Sequence, residues 1–108
     1  MKYLITESQL DNLIFKYLNM KRFIQIDNGY RIYFVNSEDD GYAQIGYDKS
    51  GWCLVYKKIV EDISRFFSLK EYKAKQVIGR WVENILQMEV SHIYSANSNS
   101  LSLIENTQ

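Results

Sequence analysis

Two side chains in this sequence have the chemistry of a nucleophilic pair: the single thiol, Cys53, and the single imidazole, His92. A reactive thiolate needs a base or a cationic neighbour, and such partners come from distant parts of a chain. The local pattern favours a plainer reading. Cys53 stands between Trp52 and Leu54-Val55, an apolar strand context in which a small buried cysteine is common. His92 alternates with Val90 and Tyr94 as a strand-side residue. We expect neither to be catalytic and the chain not to be an enzyme. A lone cysteine also excludes an internal disulfide and any multi-thiolate metal site.

Other chemistries fail on spacing. Asn36, Glu38, Asp40 and Gly41 fall at positions one, three, five and six of a calcium loop, but Tyr47 occupies the twelfth, where a bidentate Glu belongs. Glu38-Asp39-Asp40 therefore reads as a solvated turn. The glycines, at 29, 41, 46, 51 and 79, are scattered and build no phosphate cradle. No metal and no cofactor is expected. Surface chemistry remains. Lys57, Lys58, Arg65, Lys70, Lys73, Lys75 and Arg80 share the stretch 57–80 with only Glu61, Asp62 and Glu71, and no Lys or Arg follows Trp81. Such a band can hold a phosphate backbone or orient an acidic protein surface; an ordinary solvated helix face carries the same charges. Nine tyrosines suit a sheet, with rings on the pleat and hydroxyls toward water or a partner. Among them Tyr33, Tyr47 and Tyr56 are candidate contacts.

The elements that must position these groups are legible from periodicity. Thr6 and Gln9 form a capping box, Ile5 and Leu10 a hydrophobic staple. Leu10, Leu13, Ile14, Tyr17 and Leu18 then mark one face of a helix over 7–20. Phe23–Asp27 and Tyr30–Val35 flank Asn28-Gly29, the preferred type I′ hairpin loop. That loop predicts Asp27 opposite Tyr30, Gln25 opposite Ile32 and Phe23 opposite Phe34. A second hairpin joins 42–47 to 52–56 through Asp48-Lys49-Ser50-Gly51, with Trp52, Leu54 and Tyr56 on one face and Cys53 and Val55 on the other. A short amphipathic helix follows near 58–67. Ser68 and Glu71 make a second capping box, opening a long stripe of Ala74, Val77, Ile78, Trp81, Val82, Ile85 and Leu86. Gly79 lies inside that stripe, as a tolerated helical glycine or a point of close approach. Val90–Tyr94 reads as a fifth strand or an extended cover.

The expected fold is α+β: an N-terminal helix, a four-stranded antiparallel meander, two C-terminal helices, and an extended arm. Residues 1–95 form one domain and 96–108 the arm. In the arm Leu101 and Leu103 alternate as in a strand, so it either adds to a sheet edge, its own or a neighbour's, or frays. At 108 residues, 46% hydrophobic and 24% charged with a formal net charge of zero, the chain is neither disordered nor low-complexity. No stretch approaches the roughly 20 apolar residues of a membrane span, and the apolar run after Lys2 stops at Thr6-Glu7-Ser8-Gln9, short of a secretory signal.

The opening Met1-Lys2-Tyr3-Leu4-Ile5-Thr6-Glu7-Ser8-Gln9-Leu10 resembles the start of many small uncharacterised proteins of tailed bacteriophages. The resemblance implies a viral source and no particular activity, and so a host cytoplasm or a virion as the setting. With the catalytic motifs absent, the expected function is a non-enzymatic protein–protein interaction module, such as a phage structural, host-takeover or anti-defence protein. Tyr33, Tyr47, Tyr56, Leu101 and Leu103 would contact a protein partner or a second copy, with Lys70, Lys73, Lys75 and Arg80 setting orientation. The alternative is a nucleic-acid-binding accessory protein using the band 57–80.

Overall fold

Thr6 caps the first helix as its sequence dictates. Its side chain accepts from the Gln9 amide, and the Gln9 side chain accepts from the Thr6 amide, at 3.2 and 3.0 Å. The computed structural model that gives this geometry describes residues 6–36 and 42–102. Ile5, the acidic run Glu38-Asp39-Asp40 with Gly41, and Leu103 lie outside them. Nine elements follow in order: α1 (Glu7–Met20), β1 (Ile24–Asp27), β2 (Arg31–Val35), β3 (Tyr42–Asp48), β4 (Trp52–Val55), α2 (Lys57–Phe66), α3 (Glu71–Leu86), β5 (His92–Ser95) and β6 (Leu101–Ser102). The fold is α+β, with β1–β4 an antiparallel meander as the turn spacing predicts.

Two local expectations are corrected. The first hairpin pairs Asp27 with Ile32, Ile26 with Tyr33, Gln25 with Phe34 and Ile24 with Val35. Its tip is Gly29-Tyr30, with Gly29 at φ +96, a left-handed conformation that glycine takes without steric cost. Asn28 is not in the left-handed region; its side-chain oxygen instead accepts from the Tyr30 and Arg31 amides at 3.0 and 2.8 Å. The register moves by two residues, so every side chain keeps its predicted face. The second correction concerns Ser68, which does not cap α3. It adopts φ +54 just past the C-terminus of α2, and the Leu69 amide donates back to the Ser64 carbonyl at 2.9 Å. That is a Schellman-type ending, and it consumes the residue that the capping box required. The N-cap of α3 is Lys70, without a side-chain bond.

Helices α2 and α3 form the crossover that a parallel connection needs, and they bring β5 beside β4 in parallel: Trp52 opposite His92, Cys53 opposite Ile93, Leu54 opposite Tyr94. Two glycines allow this docking. A Cβ on Gly79 would collide with the Ile93 side chain, and one on Gly51 would stand 2.7 Å from Ser91 Oγ. The Gly51 carbonyl accepts from the Ser91 and His92 amides at 2.7 and 3.2 Å. Beyond β5 the arm returns to its own sheet: Ser98 accepts from Lys57, and β6 pairs antiparallel with β3 through Leu101–Ala43 and Ser102–Tyr42. The vacant place beside Tyr42 and Ala43 exists because the chain leaves the sheet at Tyr56 to begin α2.

All three helices contribute to one core on one face of the sheet. Register places Ile32, Tyr47, Cys53 and Ile93 in one cross-strand row, and Phe34, Ile45 and Val55 in the next. Against them pack Ile14, Leu18, Ile59, Ile63, Val77, Ile78, Trp81 and Val82. Polar ties close the ends: Tyr47 Oη donates to the Glu89 carbonyl at 2.7 Å, Trp81 Nε1 to Asn19 Oδ1 at 2.9 Å. Gln44, at the β-bulge where the β2–β3 register shifts, is buried and its Oε1 accepts no hydrogen bond.

Candidate functional site: an open sheet face with a free edge

Because side chains alternate along strands, the opposite face carries the other set, and no helix in the described residues lies over it. Its first row runs Arg31, Asp48, Trp52, His92 and its second Ile26, Tyr33, Gly46, Leu54, Tyr94, each neighbour in register with the next. Trp52 is 47% exposed, yet its ring is ordered by its neighbours: it stacks on Tyr94 at 4.9 Å and on His92 at 5.1 Å between centroids. The Tyr33 ring lies over Gly46, where a Cβ would meet it at 3.5 Å.

These residues line a cavity of about 180 Å³, with Gly46 and Leu54 below and Arg31, Tyr33, Asp48, Trp52 and Tyr94 around them. Arg31 Nε and Asp48 Oδ2 stand 3.8 Å apart, an ion pair just beyond hydrogen-bond reach. Both charges are held. Hydrogen bonding with Tyr33 raises the Arg31 pKa. Asp48 Oδ1 accepts from the Ser50 amide and hydroxyl at 2.9 and 2.8 Å, which lowers the Asp48 pKa. Asp27, at the first hairpin tip, is lowered too, by the Gly29 amide and then by Lys49 at 3.0 Å. Carboxylates depressed by folding stabilise the fold above their unfolded pKa, and that contribution is lost as pH falls through the folded value. Both turns should therefore loosen only in acid, and carboxyl NMR titrations should give midpoints below 3.8 for Asp27 and Asp48. A midpoint above 3.8 would contradict the bonding described.

At the far edge of the sheet, β1 pairs with β2 alone among the described residues. All four of its residues are exposed, with Ile24 at 49% and Ile26 at 42% on the open face. The Asn28 amide donates to the Arg31 carbonyl at 3.0 Å, which fixes the alternation: the main-chain groups of Gln25 and Asp27 point away from β2. Proteins commonly guard such an edge with Lys, Pro or a bulge, or by keeping it short and charged; β1 has none of the first three, and its guard is its four-residue length and the single charge of Asp27.

The structure sorts the sequence-derived candidates. Cys53 and His92 are not brought together: Cys53 points into the core and His92 lies on the open face, one register position away. Burial pushes the Cys53 thiol up to about 12, so it is protonated at neutral pH. It should resist a thiol reagent at pH 8 in the native protein and react at once in denaturant; fast native labelling would disprove its burial. Tyr47 and Tyr56 are 2% and 4% exposed. Neither is a surface contact: Tyr47 belongs to the helix-packed core, and Tyr56 is enclosed near Tyr33 and Arg31 where the chain turns into α2. Tyr33 is on the open face, half-buried. Leu101 is half-buried in β6 on the molecule's own β3. Lys70 and Lys73 are exposed and Lys75 half-buried. Arg80 is occupied by Asp11, at 2.7 and 3.0 Å, and Lys73 shares its cleft with Glu7 and Asp11, so acidic groups of α1 offset part of the basic band. Arg31, Asp48, Trp52 and Tyr94 were not singled out by the sequence. Their signal is in-register alternation, visible once both hairpins are paired.

Among the described residues no group of His, Cys, Asp and Glu could hold a metal, and no helix is long and apolar enough to cross a membrane. Comparison with protein-family models, with characterised proteins and with solved structures found no match for this chain.

Proposed function

We propose that this chain is a non-enzymatic protein–protein interaction module that takes an extended segment of a partner protein onto β1. The observation that carries the reading is the free edge: outward main-chain groups at Gln25 and Asp27 with no pairing partner among the described residues, bordered on the open face by exposed Ile24 and Ile26. An added strand would satisfy those groups, and alternate side chains would rest on the isoleucines. The resemblance of Met1–Leu10 to phage proteins supports a structural or accessory role, in a virion or in the host cytoplasm. The alternative on residues 57–80 has less support, since Arg80 is already paired.

Gln25→Pro tests this directly. Proline removes an amide that bonds nothing within the sheet and is tolerated on an outward edge position, so the fold should persist while strand addition fails. Three baits should be compared in affinity capture from host extract: the native chain, Gln25→Pro, and a chain with Lys70, Lys73 and Lys75 all changed to Gln. We expect one partner to be kept by the lysine variant and lost by Gln25→Pro. A partner insensitive to Gln25→Pro but lost with the lysines would replace this reading by one based on the basic band.

A further inference from the structure

We propose that the cavity on the open face is a nucleobase-binding slot. Its size is the first argument: about 180 Å³ is room for one ring system, since a cavity of about 150 Å³ accepts benzene. Its walls are the second. Trp52 and Tyr94 are held in a mutual stack at 4.9 Å, with His92 behind them, so they meet a planar ligand already oriented, without the ordering cost of free side chains. The third is the polar end. Arg31 presents donors and Asp48 Oδ2 an acceptor, separated by 3.8 Å and not directly bonded. The edge of a nucleobase carries a donor and an acceptor side by side, whereas the rings of Phe, Tyr and Trp carry no such pair. A stacking surface beside a donor–acceptor pair is how unpaired bases are read. The proposal is independent of strand addition at β1.

The base can come from a free nucleotide or from a single strand, and the test separates them. The native protein is titrated with AMP, GMP, CMP and UMP, with an eight-nucleotide single strand, and with ribose 5-phosphate and N-acetyltryptophanamide. Amide shifts of Gly46 and Leu54, which line the slot, are the readout, because they survive Trp52→Ala; Trp52 fluorescence follows the native protein with the non-fluorescent ligands, since Trp81 is buried. We expect saturable binding of at least one nucleotide, weakened about tenfold or more by Trp52→Ala, in line with base–aromatic stacking. Asp48→Asn keeps an oxygen for Ser50 but changes the recognition edge, so it should alter the order of preference among the four bases. Gln25→Pro should change nothing. An oligonucleotide bound more tightly than any monomer, with a steep salt dependence, identifies a strand as the source; equal affinity identifies the free nucleotide. Any of these results would overturn the proposal: no saturable response to any nucleotide or strand, ribose 5-phosphate binding as well as the nucleotides, or N-acetyltryptophanamide outcompeting them all, which would mark a pocket for a protein side chain. Unchanged base preference in Asp48→Asn would remove the polar end from recognition and overturn it equally.

Discussion

Trp81→Ala should cost about 3–5 kcal/mol, the range for removing a large aromatic from a packed core. Trp81 is 3% exposed and sits where α3 meets both the N-terminal helix and the first hairpin. Its ring contacts Phe34 at 5.2 Å and Phe23 at 5.7 Å between centroids, and its Nε1 donates to Asn19 at the end of α1. One side chain thus ties α3 to α1 and the first hairpin, which precede it by the whole of β3, β4 and α2, and alanine would leave a cavity that none of them can fill alone. A loss of that size is a large part of the roughly 5–15 kcal/mol that holds a small domain together. Urea melts by circular dichroism measure it, with Trp81→Phe as a second point. Phenylalanine keeps most of the packing and loses the hydrogen bond, so it should cost much less than alanine. A cost below about 1 kcal/mol for alanine would mean that α3 does not bury this face.

How far the fold could be read from the sequence depended on how local each decision was. The Thr6–Gln9 capping box lies within four residues and formed as expected. Ser68 and Glu71 have the same spacing, but Ser68 was also the first residue past the end of α2, and the helix ending took it. Asn28-Gly29 is a similar competition, settled when Asn28 spent its side chain on the Tyr30 and Arg31 amides. The slip left faces intact because a shift of two matches the strand period. What no window could supply was the covered side of the sheet. Both faces of β2 and β4 carry apolar residues; only the docking of α1, α2 and α3 together assigns Cys53 and Tyr47 to the core and Trp52 and Arg31 to the open face. For the same reason the slot was invisible as a motif. Its residues come from four strands, and the last, β5, joins by a parallel pairing across two helices. The β3 place taken by β6 was likewise created by α2 turning away.

That parallel docking carries the second large effect. Gly79→Leu should detach β5 and destabilise the protein by about 3 kcal/mol, at the upper end of ordinary overpacking. The helix alone would welcome the change, since leucine is the better helix former by up to about 1 kcal/mol. The opposing term is steric. A Cβ on Gly79 already overlaps the tip of Ile93 and stands 3.1 Å from its Cγ1, with Val90 at 3.8 Å, so the longer side chain has nowhere to go while β5 is seated. Alanine divides the two terms: Ile93 need only swing its end aside, and the propensity gain should cancel much of the strain. The size series Gly, Ala, Leu therefore separates helix propensity from close approach. Ile93→Ala combined with Gly79→Leu should recover part of the loss, whereas in the native background it should destabilise, and the cycle measures their coupling directly. If β5 does leave β4, His92 and Tyr94 go with it. Trp52 fluorescence should then shift toward that of a solvated indole before the core, reported by Trp81, unfolds. Native stability and an unaltered Trp52 signal in Gly79→Leu would show that α3 does not seat β5 through Ile93.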